Sequence, residues 1–348
     1  MTNTTDLRPD APANLGLVGK KKYAVMTTIN EPRGDFLRAV ASTGWELVVV
    51  ADTKTPNSWQ GIEGIHYLSL ELQKSLYPEL YETIPFGNYA RKNFGFLYAA
   101  KSGATGIWEL DDDNFPFNCP FDVISQCTQR NVLAEKWANI YDVFYPGLEI
   151  WPRGFPLSRV RDAPLDLTYS RSPQSAALPQ VVQFMVDGEA DVDAICRLVH
   201  RKYQVPVESQ RELCIYQLVD DQRCPMNTQN TLWIDQNSWD FLYHPHSVKM
   251  RFSDILKMFV TQQFCGVGFG PSTVVQDRNV HSLLDDFEGE FEMYVRTEEL
   301  VALLETSDSS LGLGGAYGLL EEHNFVSKAD RRGAQLFTEL MRSALGKN

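Results

Sequence analysis

Three consecutive carboxylates, Asp111, Asp112 and Asp113, follow the short apolar run Ile107 to Leu110. That run carries β-branched and aromatic side chains after Gly106, which predicts a buried strand. Side chains alternate along a strand, so Asp111 and Asp113 are expected on one face and Asp112 on the other. Two like charges on one face repel unless a cation lies between them, and a divalent metal with hard oxygen ligands is the natural partner. The competing reading is a solvated acidic turn. The strand before the triplet and the basic segment Arg91-Lys92 upstream favour the metal site.

A metal at such a strand end can bridge the oxygens of a nucleotide diphosphate. It then binds the nucleotide and stabilises it as a leaving group, an effect of several kcal/mol, with each ~1.4 kcal/mol worth tenfold in rate. Arg91 and Lys92, expected in the first turn of a helix over Asn88 to Lys101, could add charge-assisted contacts to the same phosphates. A solvated helix face is the alternative. Asp52 ends a second apolar run, Glu46 to Ala51, and can accept from a base or ribose; Lys54 could reach phosphate. An ordinary Asx turn before Pro56 is the alternative. A second acidic cluster, Asp187 to Asp193, precedes a short helix expected from Ala194 to Arg201. Its carboxylates are placed either to do acid–base chemistry or to cap that helix.

The elements that position these residues read as α/β. Tyr23 to Thr28 is a strand ending in Thr27 and Thr28, followed by the turn Ile29-Asn30-Glu31-Pro32 and a helix carrying Phe36, Leu37 and Val40. With the strand Glu46–Ala51 this makes a βαβ unit, the building block of parallel sheets. A third strand is expected near His66 to Leu68, later ones at Val181 to Val186 and Thr231 to Ile234, and mainly helices from about residue 250. Ligands of open α/β sheets bind off the carboxyl ends of the strands, so the polar ends Thr27/Thr28, Asp52 and Asp111 to Asp113 are expected to converge on one crevice.

Composition sets bounds. The chain has 348 residues, 43% of them hydrophobic, and a net charge of −13. The charge argues against a nucleic-acid backbone as partner. No run approaches the roughly 18 apolar residues of a spanning helix and no signal-peptide core is present, so a cytoplasmic protein without a transmembrane segment is expected. The six cysteines form no CxxC pair and read as free thiols. Residues 1–18 read as a flexible tail, 19–245 as the α/β domain that carries these strand ends, and 246–348 as a mainly helical extension packed on it. Trp151 to Pro156 and the glycine-rich Gly312 to Gly318 read as loops.

VVVADTKTP (48–56), YARKNFGFLYAAKSGATGIWELDDDN (89–114), WPRGFPL (151–157) and DVDAICRL (191–198), in that order, resemble the STELLO-type glycosyltransferase-like family. Phe252-Ser-Asp-Ile255 and Arg278 to Asp285 resemble its later motifs, so the likeness spans roughly residues 22 to 300. A more distant similarity links the chain to the UDP-arabinopyranose mutases, or reversibly glycosylated proteins. The resemblance implies a GT-A-like, Rossmann-like mixed sheet flanked by helices and a DxD-type metal site. Asp111 and Asp113 would hold Mn²⁺ or Mg²⁺, with Asp112 near the ribose or sugar. Thr27, Thr28, Asn30, Asp52 and Lys54 would line the nucleotide pocket, and Arg91, Lys92, Asn93 and Arg153 would contact the diphosphate or sugar. His281 would complete the metal shell.

Asp191, with Asp193 in reserve, would be the base of an inverting transfer from a UDP-sugar to a glycan, lipid-linked or small-molecule hydroxyl acceptor. Arg153 carries a second meaning, since the mutases attach sugar to an arginine in a similar loop. Three functions therefore stay open: a metal-dependent glycosyltransferase, a nucleotide-sugar mutase, and a non-catalytic member acting with a partner enzyme or as a homo-oligomer.

Overall fold

The computed structural model describes residues 21–161, 168–171, 177–200, 212–219, 221–278 and 282–347. The expected tail at 1–18 and His281 lie outside the described residues.

Strand-forming segments are β1 (Lys22–Thr27), β2 (Glu46–Val50), β3 (Ile65–Leu68), β4 (Gly106–Leu110), β5 (Asn114–Pro116), β6 (Thr128–Leu133), β7 (Thr168–Arg171), β8 (Val181–Asp187), β9 (Cys214–Gln217), β10 (Asn230–Trp233) and β11 (Val267–Gln276). They join in one eleven-stranded sheet in the order β3-β2-β1-β4-β10-β8-β11-β9-β6-β7, with β5 paired to β11. β1 to β4 run parallel; β10 is antiparallel to both β4 and β8; β11 runs parallel to β8. β4, β8 and β11 therefore point the same way and end at the same edge. This is an α/β mixed sheet flanked by helices, consistent with the GT-A-like fold implied by the resemblance.

Burial on both faces explains why the strands read as near-continuous apolar runs. Val25, Val48, Val50 and Ile107 face one core together with the helices Lys92–Lys101 and Met250–Phe264, whereas Ala24, Met26, Val49, Trp108 and Leu110 face the other. The alternation runs without a break through β4.

The extension expected from 246 onward is not separate. It supplies β11, which lies in the sheet between β8 and β9, so the boundary at 245 cuts the sheet. The segment Gly312–Glu322 is a helix rather than a loop. Leu313, Ala316, Tyr317 and Leu320 recur at helical spacing and are buried, and that burial outweighs the entropic cost of its glycines. All six cysteines are free. Among the described residues no helix is long and apolar enough to cross a membrane.

The helix Lys92–Lys101 lies hard against β1 and β2. A Cβ on Gly95 would come within 2.7 Å of Val50 Cγ2 and closer still to Val25, so only glycine permits this approach. Gly95→Ala is expected to lower stability by about 1–3 kcal/mol through overpacking, measured as the urea midpoint at unchanged slope. An unchanged midpoint would mean that the helix does not press on the sheet.

Candidate active site

The carboxyl ends of β1, β4 and β11 meet at a cleft of about 260 Å³ lined by Thr28, Asn30, Arg33, Trp59, Asp112, Asp113 and Asp277, among others. The ends of β1, β2 and β4 were expected to meet here; β1 and β4 do, the end of β11 takes the third place, and Asp52 does not line the cleft.

The acidic triplet does not act as a flat pair. β4 ends at Leu110, and Asn114 N–H donates to the Asp111 carbonyl at 3.2 Å, closing a turn over 111–114. Alternation therefore reaches Asp111 and stops. Asp111 joins Ile107 and Glu109 on the inner face, where Lys92 Nζ donates to its Oδ1 at 2.7 Å. Asp112 accepts from Thr28 Oγ1 at 2.5 Å and from Asn30 Nδ2 at 2.9 Å. Asp113 accepts only a long bond from Gln276 Nε2, at 3.3 Å, and its backbone carbonyl accepts from Asp277 N–H at 2.8 Å. Burial, then Asp111 and Asp112, push its pKa up to about 7. The expected sharing of one cation by Asp111 and Asp113 is thus replaced by a division of labour: Lys92 neutralises Asp111, and Asp113 keeps its charge problem.

The two basic residues at the helix start part company. A 3₁₀ turn, Tyr89–Arg91, precedes the helix. Lys92 is fully buried; burial disfavours its charge, but Asp111 and Glu109 outweigh this and hold its pKa above the ordinary lysine value. Arg91 turns the other way, into a cage of Tyr81, Phe86 and Phe94 with rings 4.6–5.1 Å from its guanidinium carbon, and donates to the Ile84 carbonyl and Gln73. It cannot reach a phosphate from there. Asn93 is locked into reciprocal bonds with the backbone of His244, at 2.8 and 3.0 Å. Asp52 accepts from the backbone N–H groups of Thr53 and Asn88, at 2.6 and 3.1 Å, so its carboxylate serves the backbone, though not through the bond to the second residue on that defines an Asx turn. Lys54 is exposed and does not line the cleft. Thr27 is the last residue of β1, paired with Val50.

The second acidic cluster is held by structure. Arg153 donates Nε to both oxygens of Asp191 at 3.1 Å and Nη2 to Asp191 and Asp254 at 2.8 and 2.7 Å, and its Nη1 reaches the Arg251 carbonyl and Asp254. Burial would raise the Asp191 pKa, but Arg153 and Arg251 outweigh it and hold the carboxyl far below the usual range. A carboxylate so strongly stabilised is a poor proton acceptor, which removes Asp191 as the expected base. Asp193 caps the helix Ala194–Val199, accepting from Cys196 N–H at 2.7 Å through one oxygen and from Trp151 Nε1 at 2.7 Å through the other. Burial lifts its pKa to about 6, yet both oxygens are occupied and it too is withdrawn from acceptor chemistry.

Arg33 escaped the sequence reading, and Arg278 entered it only as the first residue of a motif of the resemblance, with no role given. Arg33 crosses to Asp277 at 2.9 Å and stacks on Phe115; Arg278 follows at the end of β11. Arg33 lies in a segment without apolar periodicity, where only its charge gave a signal.

No family model matches the chain. Two Arabidopsis thaliana proteins, named "Probable glycosyltransferase STELLO2" and "Probable glycosyltransferase STELLO1", are similar to it. The first is 23% identical over 306 residues, 82% of this chain and 39% of the relative. The second is 24% identical over 282 residues, 75% of this chain and 35% of the relative. The chain therefore spans less than half the length of either.

Two outcomes follow from the charges. Lys92→Met strands Asp111, while Glu109 keeps Lys257, and should cost about 3–5 kcal/mol, read by urea unfolding; adding Asp111→Asn should recover part of the loss. For Asp113 the folded pKa lies above the unfolded one, so the folded state binds the extra proton and stability falls as pH rises from about 4 to about 7. Asp113→Asn removes that dependence. It should be more stable than wild type by roughly 1 kcal/mol or more near pH 8, and equal to it near pH 4; equal stability at both would contradict the burial of this charge. Across three quarters or more of its length, the chain is similar to the STELLO-type glycosyltransferases.

Proposed function

We propose that the cleft binds a nucleotide-diphosphate sugar, a UDP-sugar by the resemblance, and that the chain transfers the sugar to a hydroxyl acceptor with the help of Mn²⁺ or Mg²⁺. The observation that carries this reading is the pairing of Asp112 and Asp113 at the mouth of the cleft. One is oriented by Thr28 and Asn30; the other has no ion-pair partner among the described residues and accepts only from Gln276. Among the described residues there is no group of three or more His, Cys, Asp or Glu side chains placed to hold a metal. That donor set still fits Mg²⁺ or Mn²⁺, which proteins commonly hold by one or two carboxylates, the nucleotide phosphates supplying the rest. Asp113 is the first ligand on this reading and Asp112, through its other oxygen, the second; Asp111 is excluded by Lys92. When bound, the cation neutralises charge on the leaving diphosphate.

The remaining work falls to side chains already in place. Thr28 and Asn30 fix the Asp112 carboxylate, and Trp59 Nε1 fixes the Asn30 carbonyl at 2.9 Å, so the nucleotide side of the cleft is rigid before a ligand arrives. An inverting transfer requires a carboxylate within hydrogen-bond reach of the acceptor hydroxyl. With Asp191 and Asp193 committed, Glu189 is the carboxylate of that loop that keeps solvent access, its side chain 41% exposed and 3.1 Å from Arg197.

The mutase reading loses its anchor on the same geometry. Arg153 has all three guanidinium nitrogens bonded and its pKa held above an already high value by Asp191 and Asp254 against burial, which argues against its use as a nucleophile.

A thermal-shift screen of nucleoside diphosphates with Mn²⁺ tests the proposal. A ligand at about 100 times its Kd should stabilise the wild type by about 2.7 kcal/mol, and EDTA or Asp113→Ala should abolish the shift. Stabilisation by no nucleotide would favour a non-catalytic role.

A further inference from the structure

Arg278 is the buried charge of this region whose hydrogen bonding is unfinished. It ends the run Gln276-Asp277-Arg278 at the carboxyl end of β11; the first two of these residues bond Asp113. Its side chain is 8% exposed, yet among the described residues Nη2 has no hydrogen-bond partner. The nearest carboxylates stand off at ion-pair distances, Asp286 at 3.5 Å and Glu189 at 3.9 Å. Its neighbours Arg251 and Arg197 are engaged elsewhere, Arg251 Nε on Glu290 at 2.9 Å and Arg197 Nη1 on Glu189 at 3.1 Å. A buried N–H without an acceptor is destabilising, and a five-donor group is a wasteful filler for a space that any apolar side chain could occupy.

The placement specifies the missing acceptor. The chain neighbour of Arg278, Asp277, donates its backbone N–H to the Asp113 carbonyl on one side, and the Arg278 guanidinium itself faces Glu189, in the loop after β8, and Asp286 on the other. It therefore stands between the cleft carboxylate and the loop that follows β8. Gly188 fixes that spacing: it has φ +87°, and a Cβ there would fall 2.9 Å from the Gln276 carbonyl, so the ends of β8 and β11 touch. An anion between Asp113 and Arg278 needs a cation on the Asp113 side and finds a guanidinium on the other, and planar guanidinium donors suit phosphate oxygens.

We propose that Arg278 is the diphosphate ligand of the cleft. Its free N–H receives a phosphate oxygen of a bound nucleoside diphosphate and leaves that charge a protein partner as the sugar departs. This rests on the nucleotide-sugar reading above, and the two can fail separately.

Wild type, Arg278→Met and Arg278→Lys are titrated calorimetrically with a nucleoside, its 5′-monophosphate and its 5′-diphosphate, the uridine series first and then other bases, with Mn²⁺. Arg278→Met should weaken the diphosphate by about 10-fold or more, as loss of a charge-assisted bond requires. Nucleoside and monophosphate should change less than about twofold, and Arg278→Lys should recover part of the diphosphate affinity. The preserved nucleoside affinity certifies the fold; if Arg278→Met does not fold, Arg278→Gln, which keeps a donor without the charge, reads the same ratio. Unchanged diphosphate affinity, or a parallel loss for all three ligands, overturns the proposal while leaving the nucleotide cleft standing. Wild type that binds no member of any base series overturns both.

Discussion

A buried chain of charges determines what the acidic triplet can be. Glu109 lies in the middle of β4 with no solvent access and accepts from Lys257 Nζ at 2.8 Å; Lys92 stands 4.0 Å from Glu109 and 2.7 Å from Asp111. Each of these ions pays a desolvation cost of several kcal/mol, and leaving any one of them alone would be worse. The helices Lys92–Lys101 and Met250–Phe264 are therefore tied to one face of one strand. His244 sits near both lysines, is fully buried, and is kept neutral by burial and by their charges. The network has a functional consequence through geometry alone. It takes the first aspartate into the interior and leaves the second and third to the turn.

A second lock does the same for the loop after β8. Arg153 joins the 151–157 loop to Asp191 and to Asp254 on the helix Met250–Phe264, and Asp193 ties that loop to Trp151. One helix thus anchors both locks, through Lys257 and through Asp254. The carboxylates that the two locks consume are the ones that chemical intuition would place on a substrate. What they leave facing the cleft is sparse.

Apolar runs made the parallel half of the sheet legible, because strands buried on both faces need little else to announce them: β1, β2 and β4 are Val-, Ile- and Trp-rich and bounded by turn residues. β11 was hidden for the opposite reason. Gly268, Gly270 and Pro271 depress every strand signal, yet the glycines are there because Phe184 and Pro179 occupy the space a Cβ would need; the cause lies across the sheet, far away in the chain. The site failed to read out at points of the same kind. Whether Asp113 follows Asp111 depends on where a strand stops, and Arg91 and Lys92 differ only in which side of a wholly buried helix start each one faces. Periodicity has nothing to say about a helix buried all round.

Three adjacent aspartates in a chain of net charge −13 look like an excess of negative charge waiting for metal. Among the described residues, the internal pairings leave Asp113 without an ion-pair partner and Arg278 Nη2 without an acceptor, both held by the end of β11. A free cation alone would satisfy the first and repel the second. A free anion alone would do the reverse. A diphosphate carrying its own divalent cation satisfies both at once, because it presents positive charge to Asp113 and oxygen lone pairs to Arg278. That complementarity favours a metal–nucleotide complex over either component separately, and on this reading metal and nucleotide should bind cooperatively, each improving the site for the other.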